Sequence, residues 1–230
     1  MGRGVFAGKL GVVVGMTAEA RLLDGTGCGV AIGGGTPHGA RRMARRLVED
    51  GATLLISFGL AGGLDPALAA GTPLVPRAVL SQGRSFACDE TLRKALPGES
   101  IPCLLAADAV VATAADKQRL WQETAAGAVD LESGAVAEVA TAAGIPFAVL
   151  RAVCDPAGRD LPLAAVAALD EQGRIAPMKI IGILARQPWQ IPGLIALGRD
   201  AARARRALVG GAESLGRLAA CYTQFGGLSP

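Results

Sequence analysis

The stretch 53–63, TLLISFGLAGG, decides the fold. Thr53–Phe58 is a largely apolar run of strand length, the pattern of a buried strand, and the glycine-rich segment from Gly59 to Gly63 predicts a turn and a change of direction. Two other runs share this character. Leu10–Val14 (LGVVV) closes at Gly15, and Phe147–Val153 (FAVLRAV) closes at Cys154-Asp155-Pro156. Helical patterns fall between them. Pro37 stands near a helix start, and Arg41–Glu49 spaces Met43, Leu47 and Val48 on one face with arginines opposite. Glu132–Ala143 is a small-residue helix stopped by Gly144.

Shorter strands complete the pattern. Gly29–Ile32 is one, ending in three glycines, and Ala128–Leu131 leads into the Glu132 helix. Thr72–Leu80 is strand-like, with Pro73 and Pro76 placing it at an edge or bend, and Leu104–Thr113 is a further apolar strand region. Thr17–Leu23 is a helix or loop, and from Leu161 onward the chain reads as helical with proline breaks. Apolar strands alternating with helices predict an α/β fold, a three-layer α/β/α sandwich around a central mixed β-sheet. At 230 residues the chain is expected to form a single domain over 1–230, with 186–230 a C-terminal helical segment.

Composition narrows the function. Half the residues are hydrophobic (51%), which excludes general disorder, and 3% aromatics make base-stacking surfaces hard to build. With a net charge of +3 no nucleic-acid partner is expected. The five cysteines (28, 88, 103, 154, 221) are odd in number, widely spaced and without a CxxC, so neither a disulfide framework nor a metal site is indicated and a cytoplasmic location fits best. His38 is the single histidine, read as a surface or helix-entry residue. The apolar segments near Val5–Met16 and Gln187–Leu197 are too short or too interrupted to span a bilayer or serve as a signal peptide. There is no P-loop and no GxSxG, and Gly33–Gly35 lacks dinucleotide-binding spacing, so no cofactor is expected.

Ligands of such sheets bind at strand ends. Four ends stand out: Gly15–Glu19, Gly59–Gly63, Asp130–Glu132 and Cys154-Asp155. Three carry carboxylates, which in one cleft would be suited to acid and base chemistry and separately would be helix caps or surface turns; pattern alone leaves both open.

These four ends resemble the nucleoside phosphorylase and nucleosidase superfamily, in particular methylthioadenosine/S-adenosylhomocysteine nucleosidases, through GMTAEARLL (15–23), FGLAGGLDPAL (58–68), AVDLESGAVAEVA (128–140) and IPFAVLRAVCD (145–155). The stretches 155–174 and 184–208 are similar to hopanoid-associated members acting on adenosylhopane. The resemblance implies a nucleoside phosphorylase-like fold and hydrolysis of the N-glycosidic bond of a 5′-substituted adenosine, releasing adenine. It implies Glu19 as the base that activates water, Asp155 as the acid that protonates the purine at N7, and Glu132 as the acceptor of the ribose hydroxyls. It further implies that Leu131 packs the sugar, that Ala61 and Gly62 line the glycine turn beside it, and that Val110 and Val111 hold adenine through the backbone.

Departures from the family matter as well. By the same alignment Glu19, Ser57 and Leu60 stand where phosphorylases keep phosphate-binding groups, which favours water over phosphate, although Arg21 or Arg41 leaves phosphorolysis as an alternative. Cys154 replaces a serine, read first as a small buried hydrophobe, and the Pro- and Ala-rich stretch 156–168 replaces an aromatic lid, suiting a bulky apolar 5′ group. A non-catalytic nucleoside-binding protein is the alternative of another class. Relatives imply a homo-oligomer. Trp189, Ile191, Leu194, Ile195 and Leu197 with the arginines of 199–206 either pack on the protein or a second subunit, or form a peripheral contact with a membrane.

Overall fold

The computed structural model describes residues 9–167, 182, 183 and 186–225. Parts of 155–174 and 184–208 therefore lie outside the described residues. In chain order the elements are β1 (Lys9–Val14), α1 (Thr17–Ala20) with a 3-10 turn (Arg21–Leu23), β2 (Gly29–Ile32), α2 (Pro37–Glu49), β3 (Ala52–Gly63), β4 (Pro73–Ser81) and β5 (Arg84–Ala87). They continue with α3 (Glu90–Ala95), β6 (Glu99–Ala106), α4 (Ala114–Thr124), β7 (Ala128–Asp130), α5 (Ser133–Ala142), β8 (Phe147–Asp155) and α6 (Leu163–Ala167). A 3-10 turn (Pro188–Gln190) then leads into α7 (Ile191–Phe225).

The strands form one eight-stranded mixed sheet. β1 lies parallel between β2 and β3, and β3 runs parallel to β8. β8 is antiparallel to β4, β4 is parallel to β6, β6 is parallel to β7, and β7 returns antiparallel to the end of β3. Strands β3, β8, β4, β6 and β7 thus close on themselves, while β2 and β5 remain at the margins.

Period-two alternation explains the layers. Leu10, Val12 and Val14 of β1, Leu54, Ile56 and Phe58 of β3, and Ala148, Leu150 and Ala152 of β8 face Ala204, Leu208, Ala212 and Leu215 of α7. Their alternates, including Val13, Leu55 and Val149, face Ala40, Ala44 and Leu47 of α2 and Ala135, Val136 and Ala140 of α5. The buried line on α2 is mainly alanine, because small residues let the helix sit close to the sheet; Met43 and Val48 are only half-buried. Thr36 caps α2 by accepting from the Gly39 N–H at 3.1 Å, with Pro37 opening the helix.

Three local expectations are corrected. The glycines 59–63 make no turn: β3 continues through them, pairing with β8 as far as Gly62 and with β7 at Gly62 and Gly63. Their lack of a side chain serves close approach, since a Cβ on Gly59 would lie 2.5 Å from Arg151 Nη1 and 2.7 Å from Glu19 Oε1. β4 is not an edge strand, although it contains two prolines. It pairs with β6 on one side, and on the other with β8 at Pro73 and Leu74 and with β5 from Ala78 onward, so Pro76 falls where the strand changes partner. Leu104–Thr113 is strand only to Ala106. Val110 and Val111 belong to the connection that ends at Thr113, whose hydroxyl caps α4 by accepting from the Asp116 N–H at 3.0 Å.

Candidate active site

Charged groups buried in an apolar sheet must be paired. Arg151, in the middle of β8, is 1% exposed, and its Nε lies 2.7 Å from Asp130 Oδ2. Its Nη2 donates to Glu132 Oε2 at 3.0 Å and to Ser57 Oγ at 2.7 Å. Asp130 Oδ1 also accepts from the N–H groups of Glu132 and Ser133, at 3.3 and 3.1 Å, which fixes the turn from β7 into α5. Arg151 and Asp130 therefore hold Glu132 in place.

Glu132 is left with one free oxygen. Among the described residues, Oε1 is a buried carboxylate oxygen with no hydrogen-bond partner, and it stands over Gly15, where a Cβ would come within 2.6 Å. Burial pushes its carboxyl up to about 7, opposed by Arg151 and helped by the charges of Glu19 and Asp130.

Glu19, on α1, is buried and returns to the strand end that precedes it. Oε2 accepts from the N–H groups of Gly15 and Met16, both at 2.9 Å, and Oε1 from the Leu60 N–H at 3.0 Å. Burial raises its pKa; Arg151 and the three backbone donors act against that rise.

Asp155 ends β8. Its Oδ2 is 2.5 Å from Lys117 Nζ, and its Oδ1 accepts from Cys154 Sγ at 3.0 Å. Burial first, then the neighbouring Asp155, pushes the Cys154 thiol well up, so it is an un-ionised donor and not a nucleophile. Lys117 comes from the first turn of α4, is 0% exposed, and also donates to the carbonyls of Pro156 and Arg159 at 3.2 and 3.0 Å.

Glu19, Asp130, Glu132, Cys154 and Asp155 wall one cavity of about 690 Å³, with Arg151 and Lys117 behind its lining. Glu19, Ala61, Gly62, Val110, Val111, Leu131, Glu132 and Asp155 all line it, so the residues expected to act on or bind the nucleoside face the same space, whereas Ser57 does not line it. At its far side Leu161, Ala165 and Val166 of the α6 region and Leu194, Leu197 and Ala201 of α7 make an apolar wall, with Arg205 among the lining. Neither Arg21 nor Arg41 lines it; Arg41 pairs with Glu138 of α5.

Sequence reasoning passed over Arg151, Lys117 and the holding role of Asp130. Arg151 carried a usable signal, a lone arginine inside an apolar strand, which requires acidic partners. Lys117 carried little, since α4 is polar along most of its length. His38 is exposed at the start of α2. All five cysteines are free, and no cluster that could hold a metal occurs among the described residues. No helix among them is long and apolar enough to cross a membrane.

Residues 103–186 match the family model of the phosphorylase superfamily. No curated protein matches the chain. Among solved structures, S-adenosylhomocysteine nucleosidase from Streptococcus pyogenes, in complex with 5-methylthiotubericidin, superposes with a TM-score of 0.63 at 18% identity over 92% of this chain and 98% of that one. The 5′-methylthioadenosine/S-adenosylhomocysteine nucleosidase of Helicobacter pylori with butyl-thio-DADMe-Immucillin-A gives 0.64 at 16% identity, over 90% and 99%. Futalosine hydrolase of the same organism gives 0.63 at 17%, over 90% and 98%. The α/β fold with its mixed central sheet is thus that of the nucleoside phosphorylases and nucleosidases.

Proposed function

We propose that this protein is a purine nucleosidase that hydrolyses the N-glycosidic bond of an adenosine bearing an apolar 5′ substituent. The observation that carries this reading is the convergence of Glu19, Glu132 and Asp155 on one cavity. Cleaving such a bond requires a protonated leaving base, a stabilised ribosyl cation and a nucleophile on the opposite face. Asp155 serves the base at N7. Glu132, with Oε1 free, accepts from the ribose hydroxyls and favours the electron-poor sugar of the transition state. Glu19 takes a proton from water; its raised pKa makes it a stronger base than a solvent-exposed glutamate. Ala61 and Gly62 flank the sugar, Leu131 packs against it, and Val110 and Val111 border the purine.

Water is the nucleophile. A carboxylate at position 19 repels a phosphate dianion, and neither Arg21 nor Arg41 lines the cavity; among the described residues the lining arginine is Arg205 of α7.

The apolar wall built by α6 and α7 supports a bulky hydrocarbon at the 5′ position, and adenosylhopane is the substrate we assign. The Helicobacter pylori nucleosidase of the same fold is described with butyl-thio-DADMe-Immucillin-A, a ligand that carries an apolar butyl-thio group. Beside the cavity, Leu163 and Trp189 are 65% and 70% exposed, Ile191 and Ile195 are exposed as well, and Arg199 and Arg206 stand exposed on α7. This face suits contact with an anionic membrane surface from which a lipid substrate is drawn.

The test is adenine release from adenosylhopane and from 5′-methylthioadenosine, each with and without phosphate, with the sugar product identified by mass. Free ribosyl product without phosphate is expected, formed faster from the lipid. A sugar 1-phosphate formed only with phosphate would replace hydrolysis by phosphorolysis, and tight binding without turnover would leave a binding protein. Failure to cosediment with anionic vesicles at low salt would remove the membrane contact.

A further inference from the structure

An acid that protonates a leaving purine needs a proton to give, yet Asp155 sits 2.5 Å from the ammonium of a fully buried lysine. Within that pair Nζ donates to Oδ2 in a charge-assisted hydrogen bond. The Lys117 ammonium has its three donors on Asp155 Oδ2 and on the carbonyls of Pro156 and Arg159, so it meets no second acid. The Cys154 thiol also donates to Asp155, at Oδ1. The connection after Asp155 is fastened over Lys117. Ala114 N–H donates to Asp160 Oδ1 at 2.6 Å, Leu161 N–H donates to the Ala112 carbonyl at 2.7 Å, and the Arg159 guanidinium pairs with Asp200 of α7.

Resting on the nucleosidase reading above, we propose that Lys117 supplies, through Asp155, the proton that the purine takes up. Lys117 is a positioning residue in this scheme, since it touches Asp155 and not the substrate. An Nζ–H bond breaks and an O–H bond forms on the Asp155 carboxyl, and the carboxylic acid passes that proton to N7. The C1′–N9 bond breaks with its electron pair going to the base, which leaves as neutral adenine. Water adds to C1′ and loses its proton to Glu19. At the end Lys117 is a neutral amine, Asp155 a carboxylate and Glu19 a carboxylic acid; one proton released from Glu19 to solvent and one regained by Lys117 restore the start. Both Asp155 oxygens stand close over Gly62 of the cavity wall, 3.2 and 3.4 Å from where its Cβ would be.

The experiment compares the full-length wild type with Lys117→Ala and Lys117→Arg on two substrates. One is 5′-methylthioadenosine, whose base must be protonated to leave; the other is p-nitrophenyl β-D-riboside, whose phenolate leaves without a proton. Lys117→Ala is expected to lose about 10²–10⁴ in kcat on the adenine nucleoside but roughly tenfold or less on the nitrophenyl riboside, with ethylamine restoring the first rate. Lys117→Arg keeps the charge and the ion pair but holds its proton far more tightly, so it is expected to fold, to cleave the nitrophenyl riboside and to remain slow on the adenine nucleoside. It also carries the test if thermal melting shows that Lys117→Ala does not fold. Equal losses on both substrates, or full rescue by arginine, would make Lys117 a structural ion-pair partner only and overturn the proposal while leaving the nucleosidase reading intact. A wild type that releases no adenine overturns that reading and the proposal together.

Discussion

Replacing Glu132 with glutamine should remove a pH dependence from the stability of the whole protein. Its carboxyl has an ordinary value of 4.5 in the unfolded chain and is pushed up to about 7 in the folded one, burial being the largest cause. Between those values the native state holds a proton that the unfolded state has released, so unfolding loses protons and stability falls as pH rises. The contribution is fully present below about pH 4.5, declines through the interval and is gone above about pH 7. A displacement of that size corresponds to about 3 kcal/mol. Glutamine keeps the shape and the acceptor facing Arg151 but cannot titrate, and it also relieves Glu19 of a neighbouring charge. Urea unfolding of wild type and Glu132→Gln at about pH 5, 6, 7 and 8 reads the effect directly. Relative to the variant, wild type should lose about 2.5 kcal/mol across the series, part of the effect being already gone at pH 5. Parallel curves, or a wild type that gains on the variant as pH rises, would mean that Arg151 keeps Glu132 ionised throughout and that the unpartnered oxygen belongs to a charged carboxylate.

The same ionisation should appear in turnover, with kcat/KM for adenine release rising through about pH 7 as Glu132 becomes a full acceptor for the ribose hydroxyls; a flat profile there would count against that role. Glu19→Gln should lose about 10²–10⁴ in kcat with substrate affinity little changed, measured by adenine release and by calorimetric titration. Gly15→Ala should weaken substrate binding and lower the melting temperature, because its Cβ would enter within 2.6 Å of Glu132 Oε1, an overpacking that costs about 1–3 kcal/mol. Leu194→Asp should reduce turnover of adenosines with long alkylthio chains at C5′ more than that of 5′-methylthioadenosine, since Leu194 belongs to the apolar wall.

What was legible in the sequence was the set of strands buried on both faces. LGVVV, TLLISF and FAVLRAV each declare themselves because a strand covered by helices on two sides is apolar on both faces, Ser57 and Arg151 excepted, and the ends of β1, β7 and β8 bring Glu19, Glu132 and Asp155 to one cavity. Less legible was anything decided by a distant partner. Glycines 59–63 look like a turn until β8 and β7 are known to pair with them. Pro76 looks like an edge marker until the change of partner along β4 is seen. Lys117 lies among Asp116, Lys117, Gln118 and Arg119, where nothing local distinguishes the residue that turns inward from those that form exposed ion pairs. Its destination depends on Asp155, which only the closed strand arrangement brings near.

That closure also bears on how the protein is made. β3 is complete at Gly63, but the strand that covers its open side, β8, ends only at Asp155. At synthesis rates of roughly 5–20 residues per second the ribosome needs about 5–20 s to bridge that gap. Throughout it the nascent chain presents an unpaired edge flanked by apolar faces meant for α5 and α7. Release of a chain stopped before β8 would therefore yield aggregate and not half of a site, and an escorting chaperone has its reason to bind within that interval.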